Sequence, residues 1–179
     1  MTLFRFVALT AIFSTCGCAT APKTESERDV LHSDVQAALK SMKSQDAQVG
    51  TLLDKAYAYA VFPQVGRGAL IVGGSYGHAE VYQGGEMIGY ADVSQATVGA
   101  QAGGETFAEL IVFENKAALD EFRANKMRLT GGTSVVALKS GEVKPFKFTP
   151  EGWLVVIQQQ SGLMAEISVG GQTFSFMPK

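Results

Sequence analysis

Cysteine is nearly absent from this chain of 179 residues: both copies, Cys16 and Cys18, stand within the first eighteen positions. The remainder therefore offers no internal disulfide, no thiol nucleophile and no cysteine-ligated metal. Histidine is as scarce, with only His32 and His78, and two imidazoles among scattered acids make no metal signature. Charge is thin and nearly balanced, 15 basic against 17 acidic residues for a formal net charge of -2. No stretch interleaves basic and aromatic residues, which argues against a nucleic-acid partner. Missing too is a fixed-period repeat, and the first apolar run, Phe6 to Phe13, is too short to span a bilayer.

What is present begins with that run. "MTLFRFVALTAIFSTCGCA" places one positive charge, Arg5, before the apolar segment and small residues after it, the layout of a secretory signal. Thr15 and Gly17 before Cys18 resemble a bacterial lipobox, so we expect residues 1–17 to be a lipoprotein signal peptide and Cys18 to carry the acyl chains. The alternative, cleavage after Ala21, leaves Pro22 just past the cut, a poor residue for general signal peptidase. Cys16 is the weaker acceptor because Thr15 precedes it. Several acyl chains together hold a protein to a membrane durably. By analogy with bacterial lipoproteins, the lack of Asp after the cysteine points to the outer membrane, facing the periplasm. Residues 18–26 read as the acylated N-terminus and a polar tether, and 27–179 as a single domain, whose length suffices for a sizeable core.

Within that domain Val30, Leu31, Val35, Ala38, Leu39 and Met42 recur at helical spacing and predict a helix over 27–43. A second helix is expected over 46–60, with Ser44 or Asp46 as its cap and Pro63 ending helical character. From Gly68 onward short β-type runs are punctuated by some of the chain's 20 glycines. Gly84-Gly85 and Gly170-Gly171 each sit between alternating runs and predict hairpin turns. Gly73, Gly89 and Gly99, inside strands, mark bulges or bends. Asn115 caps a third predicted helix, 116–127, and "WLVVI" is apolar enough to be buried on both faces. The expected class is α+β: a curved, antiparallel, glycine-rich sheet, barrel- or sandwich-like, packed with two N-terminal helices and one later helix.

Chemistry is poorly served by these residues. Gly73-Gly74-Ser75-Tyr76-Gly77 matches G-x-S-x-G letter for letter, but a nucleophile elbow needs a helix after the serine and a histidine late in the chain. A strand follows Ser75 instead, and His78 is the only later histidine. Glu80, Glu86, Asp92, Glu105 and Glu109 have no spacing that forces a catalytic pair, and "GRGALIVGG" lacks the lysine of a phosphate loop. No enzymatic activity, cofactor or metal is expected. The remaining signal is basic: Lys116, Arg123, Lys126, Arg128, Lys139, Lys144 and Lys147 against Asp120, Glu121 and Glu142. These are either a solvated face or a contact for anionic headgroups, where each basic residue is worth about 1 kcal/mol. Arg67 is either a second such contact or a bridge to a nearby carboxylate.

The chain resembles the SYLF family through "LLDKAYAYAVFPQVGRGALIVGGSYGHAEVY", "GGEMIGYADVSQATVGAQAGGETFAELIVFENKAALDEF" and "SGLMAEISVGG". The family pattern, a helix running into a Phe-Pro turn, a basic residue and a glycine-bounded strand, lands on Phe62, Pro63, Arg67, Gly68, Gly73, Gly74, Tyr76 and Gly77. The resemblance implies a non-catalytic lipid-binding module, here taking anionic phospholipids. It departs from eukaryotic members in the acidic stretch from Glu25 to Asp34, which argues against phosphoinositide selectivity, and at His78 and Glu80, where small or apolar residues are commoner. The expected site is therefore Arg67, Lys116, Arg123, Lys126 and Arg128 for headgroups, with the membrane reached through acylated Cys18. The rival expectation is an envelope module that recognises protein and leaves membrane attachment to the acyl chains.

Overall fold

Helix α1 (Glu25–Gln45) starts two residues before the periodicity alone predicts, because Thr24 caps it. The Thr24 hydroxyl accepts from the Glu27 N–H at 3.2 Å, while the Glu27 carboxylate accepts from the backbone of Thr24 at 3.0 Å and of Lys23 at 2.7 Å. This reciprocal box satisfies donors that no helical carbonyl reaches. The polar tether therefore ends before Glu25. These contacts belong to a computed structural model that describes residues 22–69, 72–98, 103–129, 135–138, 145–161 and 171–179; within those strands the side chains of 67–69, 72–75, 96–98, 103–105 and 161 lie outside the description. Cys18, the lipobox, Lys139, Lys144, Gly99 and Gly170 fall outside the described residues.

Helix α2 (Gln48–Lys55) is shorter than the 46–60 expected. Ala47 occupies its cap position with no side-chain bond, but Asp46 Oδ1 accepts from the Gln48 N–H at 2.8 Å. The segment after it, "AYAVF", is strand: β1 (Ala58–Ala69) begins where helix was expected to continue, and Pro63 lies inside it. Pro63 has no N–H to give either neighbouring strand, and the register of β1 shifts at that point on both sides.

The other strands are β2 (Val72–Gln83), β3 (Glu86–Val98), β4 (Gly103–Phe113), β5 (Arg128–Leu129), β6 (Val135–Leu138), β7 (Trp153–Ser161) and β8 (Gln172–Pro178), with α3 (Lys116–Arg123) after β4. They form one sheet in the order β5-β8-β3-β2-β1-β4-β7-β6. Every pairing is antiparallel except β6 with β7, which is parallel, so the sheet is mixed where a purely antiparallel one was expected. The Gly84-Gly85 hairpin forms with both residues at positive φ, 58° and 86°, the conformation that selects glycine there. Asn115 caps α3 as expected, its Oδ1 accepting from the Ala118 N–H at 3.0 Å, although the helix stops at Arg123. Residues Trp153 to Ile157 are all buried.

The sheet curls into a half-barrel. Phe62 on β1 and Phe174 on β8 are three strands apart, roughly 14 Å in a flat sheet at ~4.8 Å per strand, yet their ring centroids are 5.9 Å apart. Gln172 on β8 reaches Glu109 on β4, four strands away, with an Nε2 to Oε2 distance of 2.9 Å. The concave face packs Phe62, Phe107, Ile111 and Phe113 around α3, whose Phe122 stacks against Phe113 at 5.0 Å and Phe174 at 5.5 Å. On the opposite face, Val61, Leu110, Val112, Leu154 and Val156 take the apolar sides of α1 and α2. The fold is thus α+β with a curved sheet between α1/α2 and α3. Among the described residues no helix is long and apolar enough to cross a membrane.

Candidate functional site

Strand alternation puts Tyr76, His78, Glu80 and Tyr82 of β2 on the face that carries α1. Between the N-terminal half of α1 and this strand runs an open groove of about 850 Å³. Lys23, Glu27, Val30 and Asp34 form its helix wall, and Gln64, Gly66, Tyr76, Gly77 and His78 lie on the sheet side. Val30 and Tyr76, 58% and 44% exposed, are the large apolar side chains most exposed among the described residues, and both line it. Gly77 is required in the floor, since a Cβ there would meet the Gln64 carbonyl oxygen at 2.6 Å.

A polar chain runs through the sheet wall. His78 faces Asp92 of β3 in register, and its Nδ1 lies 2.6 Å from Asp92 Oδ1. The carboxylate only accepts, so the proton between them belongs to Nδ1 and Nε2 is left facing outward. Tyr76 Oη sits 3.1 Å from that Nε2, its ring edge-on to the imidazole at 4.9 Å. Asp92 is 4% exposed and its Oδ2 has no hydrogen-bond partner among the described residues.

A second network fastens α1 to β2. The buried Glu80 carboxylate accepts from Tyr82 Oη at 2.5 Å and lies 3.1 Å from His32 Nδ1, while Gln36 reaches Tyr82 Oη at 3.4 Å. Burial first, and then the Glu80 carboxylate beside it, push the Tyr82 phenol well above its ordinary value of 10.0. Tyr59, stacked on Tyr82 with centroids 5.1 Å apart, is raised by burial alone.

The expected headgroup residues do not converge. Arg67 is central in the sheet, opposite Ser75 on β2 and Glu105 on β4. Lys116 and Arg123 lie on α3, which packs on the face of the sheet opposite the groove. Lys116 pairs with Asp120 at 2.5 Å, which raises its pKa, both groups being exposed. The Arg123 guanidinium sits 5.4 Å above the Phe176 ring. Lys126 and Arg128 are exposed, Lys126 shortly before β5 and Arg128 its first residue. β2 runs on from Ser75 through His78 to Gln83 as strand, where a nucleophile elbow has a helix after its serine. No cluster of three or more potential metal ligands occurs among the described residues.

Sequence reasoning named neither Tyr76 nor Asp92 as a partner of His78. Counting outward from the Gly84-Gly85 turn would set His78 opposite Ala91. The irregularity between Val81 and Tyr82, against Gly89, advances the register by one and brings Asp92 across.

No family model matches the chain. It is similar to "Beta cell expansion factor A" of Aeromonas veronii, with 26% identity over 155 residues that cover 86% of this chain and 59% of that protein. The chain thus spans about three fifths of the relative's length.

Proposed function

We propose that the chain is an outer-membrane lipoprotein facing the periplasm, anchored by acyl chains on Cys18, whose SYLF-like domain binds anionic phospholipid without catalysis. One observation carries this reading: the groove bearing exposed Val30 and Tyr76 is lined by Pro22, four residues after Cys18. Four residues of extended chain reach no further than about 14 Å. An acyl anchor at Cys18 therefore keeps an open groove with an apolar rim close to the bilayer. Anionic headgroups supply the complementary charge for Arg67, Lys116, Arg123, Lys126 and Arg128. Since Lys116 and Arg123 already have partners, Lys126 and Arg128 carry most of that attraction.

Vesicle sedimentation tests the reading with the soluble chain Ala19–Lys179, which holds every described element. Binding to phosphatidylcholine vesicles is expected only when phosphatidylglycerol is included, and it should weaken as salt rises. Reversing both Lys126 and Arg128 to Glu should cost about tenfold or more in affinity, at ~1 kcal/mol per basic residue. Absence of binding at low salt would favour an envelope protein-interaction module instead.

A further inference from the structure

We infer that the groove extends into a trench along α1 that holds one acyl chain of a membrane lipid, taken from the bilayer at the Pro22 end and laid toward Ser41. The inference rests on the lipid-binding reading and adds a seat for hydrocarbon, which the basic residues do not supply.

The length of the trench follows from spacing on the helix. A second depression of about 370 Å³ shares Asp34, Pro63 and Gln64 with the groove and runs on past Ala37 to Ser41. Glu27, Val30, Asp34, Ala37 and Ser41 recur every three or four residues and so form one line down α1. At 1.5 Å per residue that line is roughly 21 Å long. A lipid chain spans one leaflet, half of the ~30 Å hydrocarbon core, and fits along it with its headgroup outside.

The floor is cleared for a guest. Gly66 lies in the interior strand β1, paired with Tyr76 on one side and Thr106 on the other. Its φ is outside the left-handed region, and a Cβ at this position would meet nothing within 4 Å. Neither a turn nor packing within the chain therefore requires glycine here, in contrast to Gly77. A glycine of this kind weakens its strand and marks a place where another molecule approaches closely. Val30 and the Tyr76 ring give the first half of the trench its exposed apolar contacts, and Ala37, Ala38 and Pro63 line the second.

The mouth is fixed beside the anchor. Pro22 is buried, its carbonyl accepts from Arg28 Nε at 3.3 Å, and the Arg28 guanidinium lies 5.6 Å over the Tyr90 ring. The chain toward Cys18 leaves from this mouth, and its four residues reach no further than about 14 Å. That short reach selects a bilayer lipid as the occupant. Lys23 stands at the mouth, where the anionic end of the lipid remains. The Glu27 carboxylate is folded back onto the backbone N–H groups of Lys23 and Thr24, which leaves Asp34 as the acid that the hydrocarbon passes midway.

Lysophosphatidylglycerol, offered to the soluble chain Ala19–Lys179 below its micelle concentration, isolates the contribution of one acyl chain. A buried methylene is worth about fourfold in affinity, and roughly half that when an open trench covers one side of it. The palmitoyl form should therefore bind saturably and about a hundredfold more tightly than the octanoyl form. Equal affinity would overturn the proposal. A spin label at the methyl end should broaden amide signals near Ser41, and one beside the headgroup those near Glu27; broadening without that order would also overturn it. Gly66→Leu sets a side chain in the trench without a clash and should weaken palmitoyl binding about tenfold or more, while stability in urea holds or rises. Ala37→Trp, at an exposed helix position, makes the same test from the facing wall, and unchanged binding in both variants would remove the seat. Asp34→Ala should strengthen palmitoyl binding severalfold; weaker binding would point to an occupant with a cationic group, such as a basic peptide, and sink the lipid chain. Vesicles bound through Lys126 and Arg128 by a chain that takes up no lysolipid would leave the lipid reading standing and remove this seat. Lysolipid bound by a chain that ignores vesicles would overturn the bilayer as its source. Binding of neither sinks both.

Discussion

At the scale of single residues, the chain places its two histidines against two carboxylates that are almost fully buried, and the consequences differ. His32 and Tyr82 both engage Glu80, an acceptor whose loss of a donor leaves charge in a dry environment. Tyr82→Phe should therefore cost about 1–3 kcal/mol in urea unfolding. Alkaline pH gives an independent check. Because the folded-state pKa of Tyr82 is raised above 10.0, folding favours the neutral phenol. Its contribution is complete below pH 10 and declines as the pH climbs from there through the folded-state value. Stability between neutral pH and pH 11 should fall more steeply in the parent than in Tyr82→Phe, and parallel curves would refute the assignment. The alternation of β2 was legible in the letters, but the pairing of His78 with Asp92 was not. It depends on a one-residue bulge beside Gly89; the glycine marked an irregularity there, but not that it would advance the register by one residue.

Secondary elements show where local pattern suffices and where packing decides. Helix α1 was legible because its buried positions Leu31, Val35, Ala38, Leu39 and Met42 keep helical spacing. The next segment misled, since Ala56, Tyr57 and Ala60 fit a helical face as well as they fit an alternating strand. The sheet wins because β1 sits between β2 and β4 and gains hydrogen bonds from both. The cap of α1 makes a testable element: Thr24→Ala should cost about 1 kcal/mol. The Glu27 pKa is lowered in the fold, so its contribution is present above about pH 4.5 and is lost as the pH falls through the folded-state value. Amide exchange in the first turn of α1 should accelerate in that acid range in the parent, and Glu27→Gln should abolish the pH dependence. Helix α3 depends on Phe122, fully buried between Phe113, Phe174 and Phe176. Phe122→Ala should cost about 3–5 kcal/mol, a larger loss than either cap change.

Over the whole molecule, curvature separates two surfaces that a list of basic residues had merged. A curved sheet was legible from its glycines, but not the face on which each helix would pack. Helix α1 and the groove occupy one side of the sheet, while α3 with Lys116 and Arg123 occupies the other. In the proposed acylated protein a tether of four residues favours the groove side, because it keeps Pro22 of the groove lining within about 14 Å of Cys18. At such separations the effective concentration reaches the millimolar range, which fills headgroup contacts whose Kd lies below it. Val30→Trp provides a reporter on the groove, and native Trp153, 7% exposed among the α3-side residues, serves as the internal reference. In acylated protein on vesicles with brominated chains, the Val30→Trp emission should be quenched strongly and the Trp153 emission little. Inserting about 20 Gly/Ser residues after Cys18 lengthens the mean span to roughly 25 Å, at ~5–6 Å times the square root of residue number. Quenching at position 30 should then fall while acylation and vesicle recovery stay the same. Equal quenching of both tryptophans, or no response to the longer tether, would show that the anchor leaves the domain free to turn either face to the bilayer.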